Sequence, residues 1–136
     1  MSGLPGLQTV GLLGGGVIGG AWAARFALNG VDVKLYDIDP EATRKMNEIM
    51  ANARRAYRKL TLAPLPTEGT ITFVSSPEEA VTGVDFVQES APERLELKQE
   101  LLARASKAAS PTTVFGSSTS GLLPTQIQKD MVNPER

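Results

Sequence analysis

Two short apolar runs flanking three glycines, all between residues 9 and 37, leave the start of this chain few backbone paths. Thr9-Val10-Gly11-Leu12-Leu13 carries no charge and includes β-branched residues. Gly14, Gly16 and Gly19 follow as G-x-G-x-x-G, and Val17 to Asn29 is rich in small and apolar residues, closed by Asn29-Gly30. Val31 to Asp37 then alternates apolar and polar side chains and ends on an acid. The pattern predicts strand, glycine turn, helix, and a second strand with Asp37 at its tip.

That order of elements is a dinucleotide-binding fingerprint. Gly14 permits the tight turn, Gly16 lets the backbone approach a pyrophosphate, and Gly19 lets helix and strand pack closely. The first amides of the helix, at Val17 and Ile18, together with its dipole, face the phosphates. Asp37 lies eighteen residues past Gly19, where an acid accepts both ribose hydroxyls of an adenosine. A turn-forming role for Asp37 beside Asp39-Pro40 is the competing reading. No Arg or Lys follows Asp37 before Arg44, which favours NAD over NADP, because a carboxylate repels the extra phosphate.

The pattern of strand and helix then repeats. Asp39-Pro40-Glu41 opens a helix expected to run to Leu60, with Met46, Ile49, Met50, Ala53 and Tyr57 at helical spacing. Thr70–Val74 and Val84–Gln88 read as strands. Ser76-Pro77-Glu78-Glu79 and Ser90-Ala91-Pro92-Glu93 both fit capping boxes. Leu97, Leu101, Ala105 and Ala108 form one apolar stripe, Thr113–Gly116 is a fifth strand, and Pro124–Met131 is a short last helix. Five strands separated by helices predict an α/β fold with a doubly wound parallel sheet, over residues 9–136, behind a flexible lead at residues 1–8.

Composition excludes several alternatives. Lys and Arg number 14 against 15 Asp and Glu, a net charge of −1, and with no basic run there is no electrostatic case for nucleic acid or a lipid surface. Met1 to Ala24 is uncharged but holds eight glycines and Pro5, which argues against a membrane span or signal peptide and leaves the cytoplasm as the expected compartment. With no Cys and no His, thiolate metal sites, a Cys nucleophile and an imidazole base are ruled out within these residues, and no metal is expected. Neither tyrosine has Lys four residues on, since those positions are Pro40 and Thr61.

Ligands of open parallel sheets lie beyond the carboxyl ends of the strands. That rule gathers the glycine loop, Asp37, Ser75 and Ser76, Glu89 to Glu93 and Ser117 to Ser120 on one rim. From spacing alone, Glu93 also reads as part of a helix cap, Lys98 as a solvated charge, and the Ser-Ser-Thr-Ser run as a hydroxyl-rich turn.

The segments Gly14–Gly20 with Trp22–Phe26, Phe86–Arg94 and Ser117–Leu122 resemble the NAD-binding domain of the L-3-hydroxyacyl-CoA dehydrogenase family, and most of all its carnitine 3-dehydrogenase branch. The likeness covers Val10 to Arg136. It implies NAD on Gly14, Gly16, Val17, Ile18 and Gly19, with Asp37 on the adenine ribose. Ala91, Glu93 and Lys98 would line the nicotinamide-ribose side, with Ser118 in the same cofactor set. Ser120 would hydrogen-bond the substrate. Ser118 stands where acyl-CoA members usually carry Asn, and Gly121 where many carry Ser, which fits the carnitine branch. The implied reaction oxidises a 3-hydroxyl of a small hydroxyacid to a ketone in a homodimeric enzyme. The family's base is a His held by a Glu, a few residues past Arg136 by its spacing. A sixth strand and a helical C-terminal domain belong to the family's full architecture, so these 136 residues are expected to bind cofactor without turning substrate over, and to leave the fifth strand's edge unpaired unless something covers it. A 3-hydroxyacyl-CoA substrate and a non-catalytic dinucleotide-binding module are the alternatives.

Overall fold

The computed structural model describes residues 6–60 and 62–136. Its strands are β1 (Thr9–Leu13), β2 (Asp32–Tyr36), β3 (Ile71–Val74), β4 (Phe86–Glu89) and β5 (Val114–Ser117). The helices are α1 (Val17–Leu28), α2 (Ala42–Leu60), α3 (Pro77–Val81), α4 (Leu95–Ala108) and α5 (Pro124–Ile127). All strands pair in parallel in the order β3-β2-β1-β4-β5. This is a Rossmann-type, doubly wound sheet. The chain reverses its direction of winding between β1 and β4, and a crevice opens there at the carboxyl edge.

Alternation along β1 divides the core. Val10 and Leu12, with Val33 and Leu35 of β2, pack on Ala23, Ala24 and Ala27 of α1 and on Met46 and Met50 of α2. Leu13 and Val87 face the other way, onto Ala80 and Val81 of α3 and Leu101 and Ala105 of α4. The small residues of α1 therefore have a packing reason: they let that helix lie close on the sheet. Among the described residues no helix is long and apolar enough to cross a membrane.

Several sequence expectations change in detail. Ser90 and Glu93 make no capping box: α4 starts at Leu95, and its N-cap, Arg94, offers no side-chain bond. Ser76 does cap α3 by accepting the Glu79 amide at 3.1 Å. The Glu79 carboxylate, however, takes the Ser75 hydroxyl at 2.8 Å. The helix expected at Pro124–Met131 ends at Ile127. Residues 1–5 of the expected lead lie outside the described residues, while Leu7 packs against the core and the Gln8 amide donates to Asp85 Oδ2 at 2.8 Å. The outer edge of β5 is partly covered, since the Phe115 amide donates to the Arg136 carbonyl at 2.9 Å and the Arg136 guanidinium lies over the Phe115 ring.

The β1–α3 contact has no room for a methyl group: a Cβ on Gly11 would stand 2.2 Å from the Ala80 carbonyl oxygen. Gly11→Ala is expected to cost about 1–3 kcal/mol of stability, the usual range for overpacking a filled core. Urea unfolding reads this directly, and an unchanged midpoint would contradict the spacing.

Candidate functional site

A cleft of about 590 Å³ lies at the carboxyl edge between β1 and β4. Gly14–Ile18, Tyr36–Asp39, Lys45 and Ser90–Pro92 form much of its wall. Its first wall is the turn after β1. Gly14 has φ +101°, a region that side chains disfavour, and its amide donates to the Tyr36 carbonyl at 2.9 Å. A Cβ on Gly19 would sit 1.9 Å from the Gly14 carbonyl oxygen, so only glycine lets α1 begin this close to the strand. Gly16 caps α1 without a side-chain bond, and no acid occupies the first turn. A Cβ at Gly16 would meet nothing within 4 Å, so the backbone there faces open cleft. The first amides of a helix have no acceptor within it. Those at Val17 and Ile18, residues 88% and 56% exposed, make an uncapped anion site at the positive end of the dipole.

Asp37 stands across the cleft from them. Its Oδ2 accepts the Gly15 amide at 2.6 Å and its Oδ1 the Asp39 amide at 2.8 Å. A carboxylate offers about four acceptor positions, so each oxygen can still take a hydroxyl. Asp37 is thus both the turn former and a positioned acceptor, and the two readings of its role are compatible.

The opposite wall hangs on a buried network. Glu89, at the end of β4, is 0% exposed, and Lys98 on α4 is 1% exposed. Lys98 Nζ donates to Glu89 Oε2 at 2.8 Å and to the Ala91 carbonyl at 3.1 Å, and lies 3.4 Å from Glu93 Oε1. Glu89 Oε2 also accepts the Ala91 amide at 2.6 Å, while its Oε1 accepts the Ser117 hydroxyl at 2.5 Å. Glu93 Oε2 accepts the amides of Ser120 and Gly121 at 2.9 and 3.0 Å, and the Ser120 hydroxyl at 3.2 Å. The Ser118 hydroxyl accepts from Gln88 Nε2 at 3.0 Å and lies 2.8 Å from the Ser90 hydroxyl.

The structure therefore brings Gly14, Gly16, Val17, Ile18, Asp37 and Ala91 onto one cleft. Gly19 supports it from beneath. Glu93, Lys98, Ser118 and Ser120 form a contiguous group that reaches the cleft through Ala91 and Ser90. Ser75 and Ser76 do not line the cleft, being occupied with the start of α3.

A family model described as the 3-hydroxyacyl-CoA dehydrogenase NAD-binding domain matches residues 9–136. The chain belongs to this family. It is 60% identical over 124 residues to an L-carnitine dehydrogenase/betainyl-CoA thioesterase of a Rhizobium species, covering 91% of this chain and 25% of that protein. It is 51% identical over 125 residues to an L-carnitine dehydrogenase of Mesorhizobium japonicum, covering 91% of this chain and 34% of that one. Among solved structures, 5-formyl-3-hydroxy-2-methylpyridine 4-carboxylic acid 5-dehydrogenase, an NAD+-dependent dismutase, superposes with a TM-score of 0.83 at 30% identity, over 95% of this chain and 42% of that one. The chain spans a quarter to a third of the length of these two curated relatives.

In this NAD-binding domain of the 3-hydroxyacyl-CoA dehydrogenase family, the glycine turn and Asp37 line one cleft, and the backbone at Gly16 is open enough to admit a diphosphate. Sequence reasoning placed Glu89 on the rim without its pairing to Lys98, and spacing alone read as a solvated charge a lysine that is buried against it. The signal was present: position 98 shares a helical face with the buried Leu101, Leu102 and Ala105.

The Glu93 carboxyl is held well below its ordinary value of 4.5, at about 2, by the Gly121 amide, then the Ser120 amide, and further by Lys98 and the Ser120 hydroxyl. Because the folded value is the lower one, the clamp's stabilisation is complete above about 4.5 and disappears as pH falls towards about 2. Glu93→Gln should therefore lose less stability across that acid window than the unsubstituted chain, as measured by thermal unfolding at stepped pH. Identical losses would show that the clamp does not form in solution.

Proposed function

We propose that this chain is the cofactor domain of an enzyme that oxidises the 3-hydroxyl of L-carnitine to a ketone. The observation that carries the reading is the extent of sequence shared with L-carnitine dehydrogenases across nearly the whole domain. NAD, when bound, supplies the hydride acceptor.

The chain's own residues divide the remaining work. Val17 and Ile18 amides neutralise the diphosphate, and Asp37 fixes the adenosine ribose. Ala91, braced by Lys98 and Glu89, shapes the wall next to the nicotinamide ribose, with Glu93 and Ser118 behind it. Ser120, held by Glu93, presents its hydroxyl oxygen to the substrate, and Ser118 in place of a longer amide suits a small hydroxyacid rather than an acyl-CoA. A departing hydroxyl proton needs a base within hydrogen-bond reach. The sequence has no His, and Lys98 Nζ is committed to Glu89, Glu93 and the Ala91 carbonyl.

Calorimetry is expected to show NAD binding by the chain, weakened by about 1–3 kcal/mol in Asp37→Ala through the loss of the ribose hydrogen bonds. No NADH should form from L-carnitine with the chain alone, while a native polypeptide containing this segment should reduce NAD with L-carnitine. Preference of that polypeptide for 3-hydroxybutyryl-CoA would overturn the substrate assignment.

A further inference from the structure

The ribose end of the cleft contains a cation. Lys45, one residue past Arg44 on α2, lines the cleft with Asp37 and Asp39. Its ammonium lies 2.5 Å from Asp39 Oδ2. Arg44 is engaged elsewhere, bound to Glu41 at 2.9 Å and Glu48 at 2.6 Å along the exposed face of the helix. The other cation on the cleft, Arg104, is held by both oxygens of Glu78.

The residues at this end are linked in sequence. The Asp39 amide donates to Asp37 Oδ1 at 2.8 Å, and the far side of Asp39 takes Lys45. Asp39 Oδ1 meanwhile accepts the Glu41 amide at 2.9 Å and fixes the turn into α2. The ammonium that a ribose phosphate would need thus stands two hydrogen bonds from the carboxylate that binds ribose, already paired with an acid.

We propose that Asp39 is a specificity-determining residue for the cofactor. By holding Lys45, it keeps the ribose end net negative and denies a 2′-phosphate its counter-ion. This rests on the reading of the cleft as the dinucleotide site. Asp37 disfavours the phosphate by like charge, and Asp39 occupies the cation placed to offset it. The ion pair itself is half exposed, so it contributes little to folding. Its consequence is for ligand choice.

The test uses calorimetry of NAD and NADP with the chain, with Asp39→Asn, and with Asp39→Asn/Lys45→Met. Asn keeps an oxygen for the Glu41 amide, so α2 still starts correctly, and circular dichroism checks that it does. The ratio of NADP to NAD affinity should rise about ten-fold in Asp39→Asn, the scale expected when a cation near the phosphate is freed from its counter-ion. The gain should vanish in the double variant. An unchanged ratio in Asp39→Asn, or a gain that persists without Lys45, would overturn the proposal. An unsubstituted chain that binds neither nucleotide would overturn it together with the site assignment.

Discussion

The closeness of α1 to the turn after β1 is the constraint from which the rest of the site follows. A helix starting where a Cβ at position 19 would overlap the Gly14 carbonyl leaves its uncapped end beside the mouth of the sheet. The same turn is tied to β2 twice, by the Gly14 amide on Tyr36 and the Gly15 amide on Asp37. Those bonds fix how far Asp37, the acid proposed to bind ribose, stands from the amides proposed to bind phosphate. The contacts that close the first crossover are therefore the contacts that set the cofactor site, and packing and function cannot be changed independently here.

A second coupling runs through the far wall. Glu89 and Lys98 are withdrawn from water together, and a buried pair of this kind stabilises the fold only when its remaining hydrogen-bonding positions are satisfied. Here they are, by the Ala91 amide and carbonyl and by Ser117. In consequence the loop after β4 and the loop after β5 share one electrostatic anchor. Glu93 extends it to Ser120 and Gly121, so the residue proposed to meet substrate is positioned by the same cation that shapes this wall of the cleft. Removing Lys98 would leave Glu89 as an uncompensated buried charge and disturb both loops at once.

The first crossover was legible because its determinants are local. β1 spans Thr9–Leu13 as its apolar run implies, and Asn29-Gly30 ends α1 where the capping signal falls, with Gly30 at positive φ. The parallel order of the sheet also followed from the alternation of strand and helix. Ser90 and Glu93 were misread because their spacing matches a capping box, whereas their real partners, Ser118, Ser120 and Gly121, lie nearly thirty residues away. Spacing alone makes Lys98 a solvated charge for a related reason: its burial depends on Glu89, which becomes a neighbour only once strand, loop and helix have folded back. Lys45 was overlooked because the distance from Asp37 was counted along the sequence, while the turn at Asp39 brings α2 back over the ribose end. Local pattern thus gave the elements and one wall of the cleft, and nonlocal charge pairing decided the other.

The central claim is that the uncapped amides at the start of α1 and the carboxylate at the end of β2 grip one dinucleotide. Two-dimensional amide NMR of the isotope-labelled chain titrated with NAD tests it most directly. The account predicts that the largest shifts fall on Gly15 to Ile18 and on the amides around Asp37, with Ala91 moving as well. Binding that leaves the glycine turn unperturbed and moves signals elsewhere would contradict it.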